Sequence, residues 1–589
     1  MNPKIKYAGI CFLLILFTFC SYRMYQLALW GYLPLFFISS LWGLYILFFE
    51  KRYRLRWLGL ATLSGILLSL GFPNLPFTIL MFVGFVPLLM VESEIGVERG
   101  VAIKEVFKYA YHALVVWNIL TTWWVSNAGL AGGMIANFLN ALFMCVPFLA
   151  FHYTRQKFGN RIGYFSFIVY WITFEYLHLN WEISWPWLTL GNAFAEFPAW
   201  VQWYEYTGAL GGSLWILGTN VLVFLGYRSW KRAKDIGGNS IPYKYFVGVS
   251  CAILLPIFLV SYMMRAGDQR KPDEQVSVVV VQPNYEPHYQ KFDIPEYQQM
   301  QQFLRLSAQK LDTACDYLVF PETSFERIKH NDIWENPTIR SLKNFVHRYP
   351  KLNLVTGLGS FRIFERNNVP YRFSIRTFVK GDKSTFWESY NSAIQISAKG
   401  DDIPVYLKSK FVPGPELLPY HWLFAFLQPL FEKMGGSIEG LGMQSERSVF
   451  HNGQIAIAPV ICYESIYGDY CGGYVRNGAN AIFVMTNDGW WDDTPGYKQH
   501  LAFSRLRAIE LHREVVRSAN TGSSCFIDCK GNVRQATKYG TEAAIKGNVS
   551  LYSDITFYAR YGDYIGLIAS LMTGMLSFGL MVRYFQKKV

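Results

Sequence analysis

Ten apolar segments constrain this chain more than any other feature of its sequence. Nine of them fall within the first 264 residues, and the tenth lies close to the last residue, 589. A helix needs about 20 apolar residues to cross the core of a bilayer; several segments approach that length and two are shorter. The sequence therefore predicts membrane-spanning helices over these segments: 7–22, 27–49, 57–71, 77–91, 107–125, 133–153, 162–180, 210–227, 244–263 and 564–582.

The first apolar segment has the form of a signal peptide, because Lys4 and Lys6 precede it. It lacks a small-x-small cleavage site and further apolar segments follow it, so we expect it to remain as a helix. We expect four parts in the chain: two additional helices in 1–49, a bundle of about seven helices in 50–264, an outer domain in 265–563, and a last helix with a basic tail in 564–589.

The charged residues separate the outer domain from the apolar parts. Only 16% of all residues are charged, against roughly 25% in soluble proteins. Residues 265–563 carry 34 Lys and Arg against 32 Asp and Glu, so most of the net charge of +13 lies in the apolar parts. Basic residues in short loops between apolar segments indicate membrane topology. No recognition motif accompanies them, and we expect no nucleic-acid partner.

The basic residues also predict the orientation of the chain. If the N-terminus lies inside, the inner loops and ends carry twenty Lys and Arg, while the four short outer loops carry only Arg23. Cytoplasmic loops are enriched in Lys and Arg. The domain at 265–563 therefore faces outward, and the tenth helix returns the C-terminus to the cytoplasm.

The outer domain has the pattern of a layered α/β fold. Short β-branched runs alternate with polar helical stretches. Helices are predicted at Tyr297–Ala314 and Gln499–Arg517. Strands are predicted at Val276–Gln282, Tyr317–Phe320, Leu352–Gly357, Ser392–Ser397, Ile455–Ile461, Ala481–Thr486 and Cys525–Asp528.

Reactive side chains lie at the ends of three apolar, strand-like runs. Glu322 follows V-F-P, Cys462 ends the strand I-A-P-V-I, and Lys408 and Lys410 lie in Y-L-K-S-K, ahead of Glu416. Acyl transfer through a thioester needs a thiol, a carboxylate that accepts its proton and an ammonium that stabilises an oxyanion. The ammonium can also lower the pKa of the thiol. Each signal alone is weak, since a cysteine after an apolar strand is more often a buried core thiol.

The combination resembles the nitrilase superfamily of carbon–nitrogen hydrolases. The order Glu–Lys–Cys occurs here in the contexts F-P-E, Y-x-K and I-C-Y-E. The placement of such a domain between a multi-span bundle and one last span resembles the apolipoprotein N-acyltransferase family in particular. Further matching motifs are W-P-W-L at 185–188, V-Q-P-N at 281–284, Y-N-S-A at 390–393, T-N-D-G-W-W at 486–491, R-S-A-N-T-G at 517–522 and Y-A-R-Y-G at 558–562.

The resemblance implies an α-β-β-α sandwich and a role for each site residue. Cys462 is the implied nucleophile, Glu322 the general base and later acid, and Lys408 the oxyanion partner. Lys408 is preferred to Lys410 because it occupies the Y-x-K frame. In supporting roles, Glu416 orients Lys408, while Glu464, Tyr463 and Asn391 support or shape the site; for these four residues, simple packing stays an equal alternative.

The resemblance also implies the partners. A membrane phospholipid donates the acyl chain, and the α-amine of diacylglyceryl-cysteine in an apolipoprotein accepts it. We expect no cofactor and no metal, a monomer, and a multi-pass location in the bacterial inner membrane with the outer domain on the periplasmic side. The competing hypotheses are a membrane-tethered nitrilase-type amidohydrolase with the same triad, and a transporter or receptor with a degenerate outer domain.

Two apolar features near the predicted site allow two interpretations each. The stretch Pro415–Phe431 is unusually apolar, and we interpret it as a lipid-facing lid around Trp422, Phe424 and Phe426, although core packing is an alternative. The loop 181–209 holds five tryptophans, which we interpret as a belt at the membrane–water interface, although a substrate-contacting surface is an alternative. Near it, Glu175 and His178 are expected at a hydrated interfacial position.

Overall fold

The membrane part is a helical bundle. The computed structural model describes residues 3–235, 243–291, 293–380, 383–424 and 440–586. All ten predicted apolar segments are helical over most of their length. The first nine helices are α1 Pro3–Gln26, α2 Leu33–Phe48, α3 Leu55–Leu70, α4 Val86–Arg99, α5 Ile103–Thr122, α6 Leu130–Phe158, α7 Asn160–Asn180, α8 Tyr204–Asp235 and α9 Tyr243–Gly267.

Six helices in the described residues are long and apolar enough to cross a membrane, which makes the chain a multi-pass membrane protein. They are Pro3–Gln26, Thr78–Arg99, Leu130–Phe158, Tyr204–Asp235, Tyr243–Gly267 and Tyr564–Gln586. Helices α2 and α3 are shorter apolar helices of 16 residues each. Helices α5 and α7 carry more polar residues, many of them buried within the bundle.

The outer domain is an α/β sandwich. Its helices are α10 Glu296–Ala308, α11 Pro337–Val346, α12 His421–Phe424, α13 Gly468–Arg476, α14 Pro495–Leu511 and α15 Phe557–Tyr561, followed by α16 Tyr564–Gln586 in the membrane part. Its strands are β1 Glu274–Gln282, β2 Tyr317–Val319, β3 Phe325–Lys329, β4 Asn353–Phe364, β5 Arg376–Lys380, β6 Lys383–Ser397, β7 Val405–Leu407, β8 Phe450–Asn452, β9 Ile455–Ile461, β10 Ala481–Thr486, β11 Val515–Ala519, β12 Cys525–Ile527, β13 Val533–Arg534 and β14 Ala543–Leu551.

Two sheets pack face to face between layers of helices. One has the order β14-β1-β2-β4-β6-β5, with β3 on β4 and β7 on β6; the other has the order β13-β12-β11-β10-β9-β8. Strand β1 shows why a sandwich forms, because its valines are buried on both faces. Val279 and Val281 pack in the cluster that contains Phe303 of α10, while Val278 and Val280 belong to the core shared with the second sheet. β-branched residues suit such doubly covered strands.

One predicted helix is wrong in its second part. Helix α14 ends at Leu511 because His512 adopts a left-handed conformation, with φ of +48°. The next residues, including Arg517, form β11 in the middle of the second sheet. The charged residues of 512–517 concealed this strand, since Arg513 and Arg517 are buried with their charges paired or hydrogen-bonded.

The bundle and the outer domain share a buried junction. Trp187 is fully buried and donates a hydrogen bond from Nε1 to Gln499 of α14 (2.6 Å). Its ring contacts those of Trp124 at 4.8 Å and Trp491 at 5.6 Å. The prediction of an interfacial belt is therefore wrong for Trp187, because the outer domain covers it.

The predicted hydrated position of Glu175 and His178 is also wrong. Both are buried on α7. Glu175 accepts hydrogen bonds from Leu190 N (2.8 Å) and Trp171 Nε1 (3.1 Å). His178 Nε2 accepts one from Trp185 N (3.2 Å). These contacts fix the tryptophan-rich loop against the bundle.

Candidate active site

Glu322 lies in the loop that follows β2 and is 7% exposed. This loop rests directly on β4, where Gly357 makes the close approach possible: a Cβ at Gly357 would lie 2.7 Å from the Cα of Glu322. Glu322 Oε1 accepts hydrogen bonds from Lys408 Nζ (3.0 Å) and Asn391 Nδ2 (2.8 Å). The carboxylate is therefore fixed by a cation and an amide before any substrate enters.

Lys408 follows β7 and is 1% exposed. Its ammonium lies between two carboxylates, at 3.0 Å from Glu322 Oε1 and 2.8 Å from Glu416 Oε1. Burial opposes the charge, but both carboxylates hold the pKa of Lys408 well above its ordinary value. Although burial would raise it, the pKa of Glu322 is lowered by Lys408 and by the hydrogen bond from Asn391.

Glu416 and Asn391 complete this cluster. Asn391 Nδ2 also donates to Glu416 Oε1 (3.2 Å), and Val412 N donates to Glu416 Oε2 (2.8 Å). Glu416 thus contacts both Lys408 and its neighbour Asn391, as the expected orienting role requires.

Cys462 follows β9 and has a φ of +46°, in the left-handed region that non-glycine residues rarely occupy. It is 8% exposed. Burial and the charge of Glu322 raise the pKa of the thiol, and the opposing effect of Lys408 does not offset them. The thiol is therefore protonated at neutral pH, and attack by sulfur requires a base.

Glu464 connects the turn at Cys462 (the cysteine turn) to the loop that carries Lys408. This fully buried carboxylate accepts hydrogen bonds from Ile461 N (2.9 Å), next to Cys462, and from Ser409 N (2.7 Å), next to Lys408. The hydroxyls of Tyr406 and Tyr470 each donate to it at 2.6 Å. These four bonds set the relative position of the two loops.

Tyr463 ties the site to the membrane bundle. Its hydroxyl donates to Ser184 O (2.8 Å), and its ring lies nearly parallel to that of Trp185, with centroids 6.3 Å apart. The residue after Cys462 is therefore held by the tryptophan-rich loop between α7 and α8.

A buried polar cluster behind Cys462 escaped the sequence analysis. His500 Nε2 lies 3.2 Å from Cys462 O, and His500 Nδ1 lies 3.0 Å from Asp488 Oδ1. Arg517 Nη2 donates to Asp488 Oδ2 at 2.7 Å. The motifs T-N-D-G-W-W and R-S-A-N-T-G contain Asp488 and Arg517, so these two residues could have been identified from the sequence. His500 lies in a predicted helix and belongs to no motif, so nothing in the sequence indicated it.

Four predicted residues either lie apart from the cluster around Cys462 or fall wholly or partly outside the described residues. Lys410 donates to Leu179 O (3.2 Å) and not to Glu322. Trp422 is 78% exposed. The side chain of Phe424 and all of Phe426 fall outside the described residues, so the lid stays a prediction.

One group in the described residues has the donor set of a metal site: Asp268, His512 and Cys529. It contains no residue of the cluster around Cys462, and Arg270 and Lys530 already pair with Asp268. Cys525 and Cys529, which lie four residues apart in the sequence, are both free thiols.

Comparisons with known proteins cover both parts of the chain. Residues 64–222 match the family model described as the apolipoprotein N-acyltransferase N-terminal domain, and residues 258–553 match that of carbon-nitrogen hydrolase. The apolipoprotein N-acyltransferase of Chlorobaculum tepidum is 28% identical over 541 residues, covering 89% of this chain and 96% of that protein. That of Thermotoga maritima is 24% identical, covering 90% and 95%. Among solved structures, Nit3 of Saccharomyces cerevisiae, a nitrilase-superfamily member, is 13% identical, with a TM-score of 0.33 and coverage of 48% and 92%.

Proposed function

The chain belongs to the carbon-nitrogen hydrolase family, and on that premise we propose that it is an acyltransferase acting on lipids. It moves a fatty acyl chain from a membrane phospholipid to the N-terminal α-amine of diacylglyceryl-cysteine in apolipoproteins. One observation carries this proposal: the residue after Cys462 is hydrogen-bonded to Ser184 in the membrane part. A thiol held at that junction is within reach of substrates anchored in a bilayer.

In the first half-reaction, Glu322 takes the proton from Cys462 as sulfur attacks the ester carbonyl of the phospholipid. The tetrahedral oxyanion is stabilised by Lys408, whose buried ammonium acts in a medium of low dielectric. Collapse breaks the ester C–O bond, and protonated Glu322 returns the proton to the departing lysophospholipid oxygen. The products are a Cys462 thioester and a lysophospholipid.

In the second half-reaction, the neutral amine attacks the thioester carbonyl and gives its proton to Glu322. The C–S bond breaks, the amide forms, and the thiolate of Cys462 recovers the proton from Glu322. One thiol serving two bulky lipids in turn gives a ping-pong cycle. Lys408 and Glu416 remain charged throughout the cycle. Glu322 is neutral only while it carries the proton.

Several supporting features belong to the same proposal. The exposed Trp422 is part of a lipid-facing lid that admits lipid while limiting hydrolysis of the thioester by water. The outer domain, residues 265–563, faces the periplasmic side of the bacterial inner membrane, as the excess of basic residues in the inner loops predicts. The protein acts as a monomer, and the bounds of the four parts are those proposed from the sequence.

The main alternative is a membrane-tethered amidohydrolase, which would use the same triad on a small amide or nitrile. The buried junction around Trp187 argues against it, because a small polar substrate needs no membrane bundle fused to the site.

The two functions are separated by an assay in proteoliposomes. The purified protein receives a phospholipid with a labelled acyl chain and a synthetic peptide that begins with diacylglyceryl-cysteine. We expect label on the peptide amine with wild type, and none with Cys462→Ala. Hydrolysis of small amides without any transfer to the peptide would favour the amidohydrolase and overturn the proposal.

A further inference from the structure

A cavity lies on the membrane side of the outer domain, apart from the cluster around Cys462. Its volume is about 350 Å³, within the range of roughly 300–1,000 Å³ that is usual for small-molecule sites. It lies between the C-terminal end of α7, helix α13 and the start of α16. None of Glu322, Lys408 and Cys462 lines it.

Three cations line this basic cavity: Lys410, Arg447 and Arg476. Lys410 and Arg447 have no carboxylate ion-pair partner among the described residues. Lys410 donates to Leu179 O and lies over the ring of Tyr467, 4.7 Å from its centroid. Burial and the neighbouring Arg447 lower the pKa of Lys410. Among the described residues, the two cations thus lie close together without a direct ion pair, and the carboxylates of Glu464, Asp469 and Asp563 act on Lys410 only at longer range.

The acidic residues of the cavity do not neutralise this charge. Asp469 pairs with Arg476 at 2.9 Å. Asp563 accepts a hydrogen bond from Tyr558 (2.7 Å), and burial raises its pKa to about 7, so it is partly protonated at neutral pH. The cavity therefore favours an anion over a cation.

The position of the cavity indicates the source of that anion. Tyr176, Leu179, Tyr564 and Leu567 line its membrane side, at the ends of α7 and α16. Tyrosines concentrate at the level of lipid headgroups. Helix α16 is one of the six helices able to cross a membrane, so its start reaches the headgroup layer.

We propose that the basic cavity binds the phosphate of a phospholipid headgroup, held by Lys410 and Arg447. Arg and Lys are the side chains that bind phosphate in proteins, and bonds between two charged groups are the strong ones. This lipid is distinct from the one that reacts at Cys462, and the proposal depends on no step of the thioester chemistry.

The occupant would lie one layer of side chains from the active site. The guanidinium of Arg447 lies over the ring of Tyr470 at 3.7 Å, and the Tyr470 hydroxyl donates to Glu464. Glu464 in turn holds Ile461 N beside Cys462. A headgroup that orders Arg447 therefore supports the framework of the cysteine turn.

The test uses the delipidated, full-length protein in detergent and an arginine-specific reagent, phenylglyoxal. The probe is a short-chain diether phospholipid, which has no acyl ester and therefore no acyl chain to transfer. We expect it to slow modification of Arg447, read by peptide mass spectrometry, while Arg348, exposed and outside the cavity, is modified at an unchanged rate. The same diether lipid without its phosphate should give no protection.

The binding affinity of the same probe is then compared between variants. Replacing both cations (Lys410→Ala with Arg447→Ala) should weaken binding by about tenfold or more. The charge-matched pair Lys351→Ala with Arg348→Ala should leave binding unchanged. Protection by inorganic phosphate but not by the phospholipid would identify a site for soluble anions and overturn the proposal. Absence of protection in wild type would overturn it as well, whether or not the double variant folds.

Discussion

Replacing Lys408 by methionine tests the charge arrangement of the active site most severely. Methionine nearly matches the length of the lysine stem but removes the ammonium that lies 3.0 Å from Glu322 and 2.8 Å from Glu416. The buried carboxylate of Glu322 and the half-buried carboxylate of Glu416 then face each other without the cation that lay between them. Removing one partner of a buried ion pair costs roughly 3–5 kcal/mol of stability, and loss of an oxyanion partner slows catalysis on the order of 10²–10³-fold.

The stability loss depends on pH in a defined direction. In wild type, the lowered pKa of Glu322 contributes stability above its unfolded-state pKa of about 4.3. This contribution is lost as pH falls through the lower folded-state pKa. Lys408 has a raised pKa, so its contribution is complete at all pH values below about 10.4. The difference in stability between wild type and Lys408→Met should therefore be largest near pH 7 and shrink below pH 4.

Thermal unfolding in detergent at pH 7.5 and at pH 3.5, with the rate of acyl-enzyme formation at pH 7.5, measures both effects. Lys343→Met is the matched control, because Lys343 is also buried but donates to Ser397 O at 3.0 Å, away from the cluster. It should lower the melting temperature while acyl-enzyme still forms. Equal activity of wild type and Lys408→Met, or a stability difference that grows as pH falls, would refute the reasoning.

Four further outcomes are expected. Cys462→Ser should abolish acyl transfer in a folded protein, because an alkoxide forms far less readily than a thiolate, whereas Cys471→Ser should stay active; the reverse result in transfer assays would reassign the nucleophile. Alkylation of Cys462 by iodoacetamide should keep accelerating from pH 7 to pH 9, because the pKa of the thiol is raised; a plateau below pH 7 would contradict this. Glu464→Gln should destabilise the protein by about 2–4 kcal/mol in unfolding experiments, since an amide cannot accept all four hydrogen bonds; an unchanged melting temperature would exclude the framework role. Trp422→Ser should slow turnover of phospholipid or raise thioester hydrolysis, with alkylation of Cys462 unaltered; normal turnover of lipid would remove Trp422 from the lid.

The sequence predicted the fold through patterns that depend on local physics. Apolar length identified the ten helical segments, and β-branched runs identified β1, β9 and β10. The strand at Val515–Ala519 was missed because Arg513 before it and Arg517 within it give this stretch the composition of a surface helix. Their charges are compensated by distant partners such as Asp488, and local propensity holds no information about these.

The candidate site was predictable where residues follow strands and not where they pack between domains. Glu322, Lys408 and Asn391, at strand ends or within strands, come together as the motifs indicated. The contacts of Tyr463 with the tryptophan-rich loop were not predictable, because they depend on how the outer domain sits on the bundle. The same tertiary packing buries Trp187, for which composition alone indicated an interfacial position.

Mass spectrometry of Cys462 tests the central claim most directly. The full-length protein, purified from membranes, is digested and the peptide that contains Cys462 is measured before and after addition of a diacylglyceryl-cysteine peptide. We predict a fatty acyl group on Cys462 that disappears as the acceptor amine becomes acylated. No acyl group on Cys462 with active enzyme, or an acyl group that the acceptor leaves in place, would contradict the account.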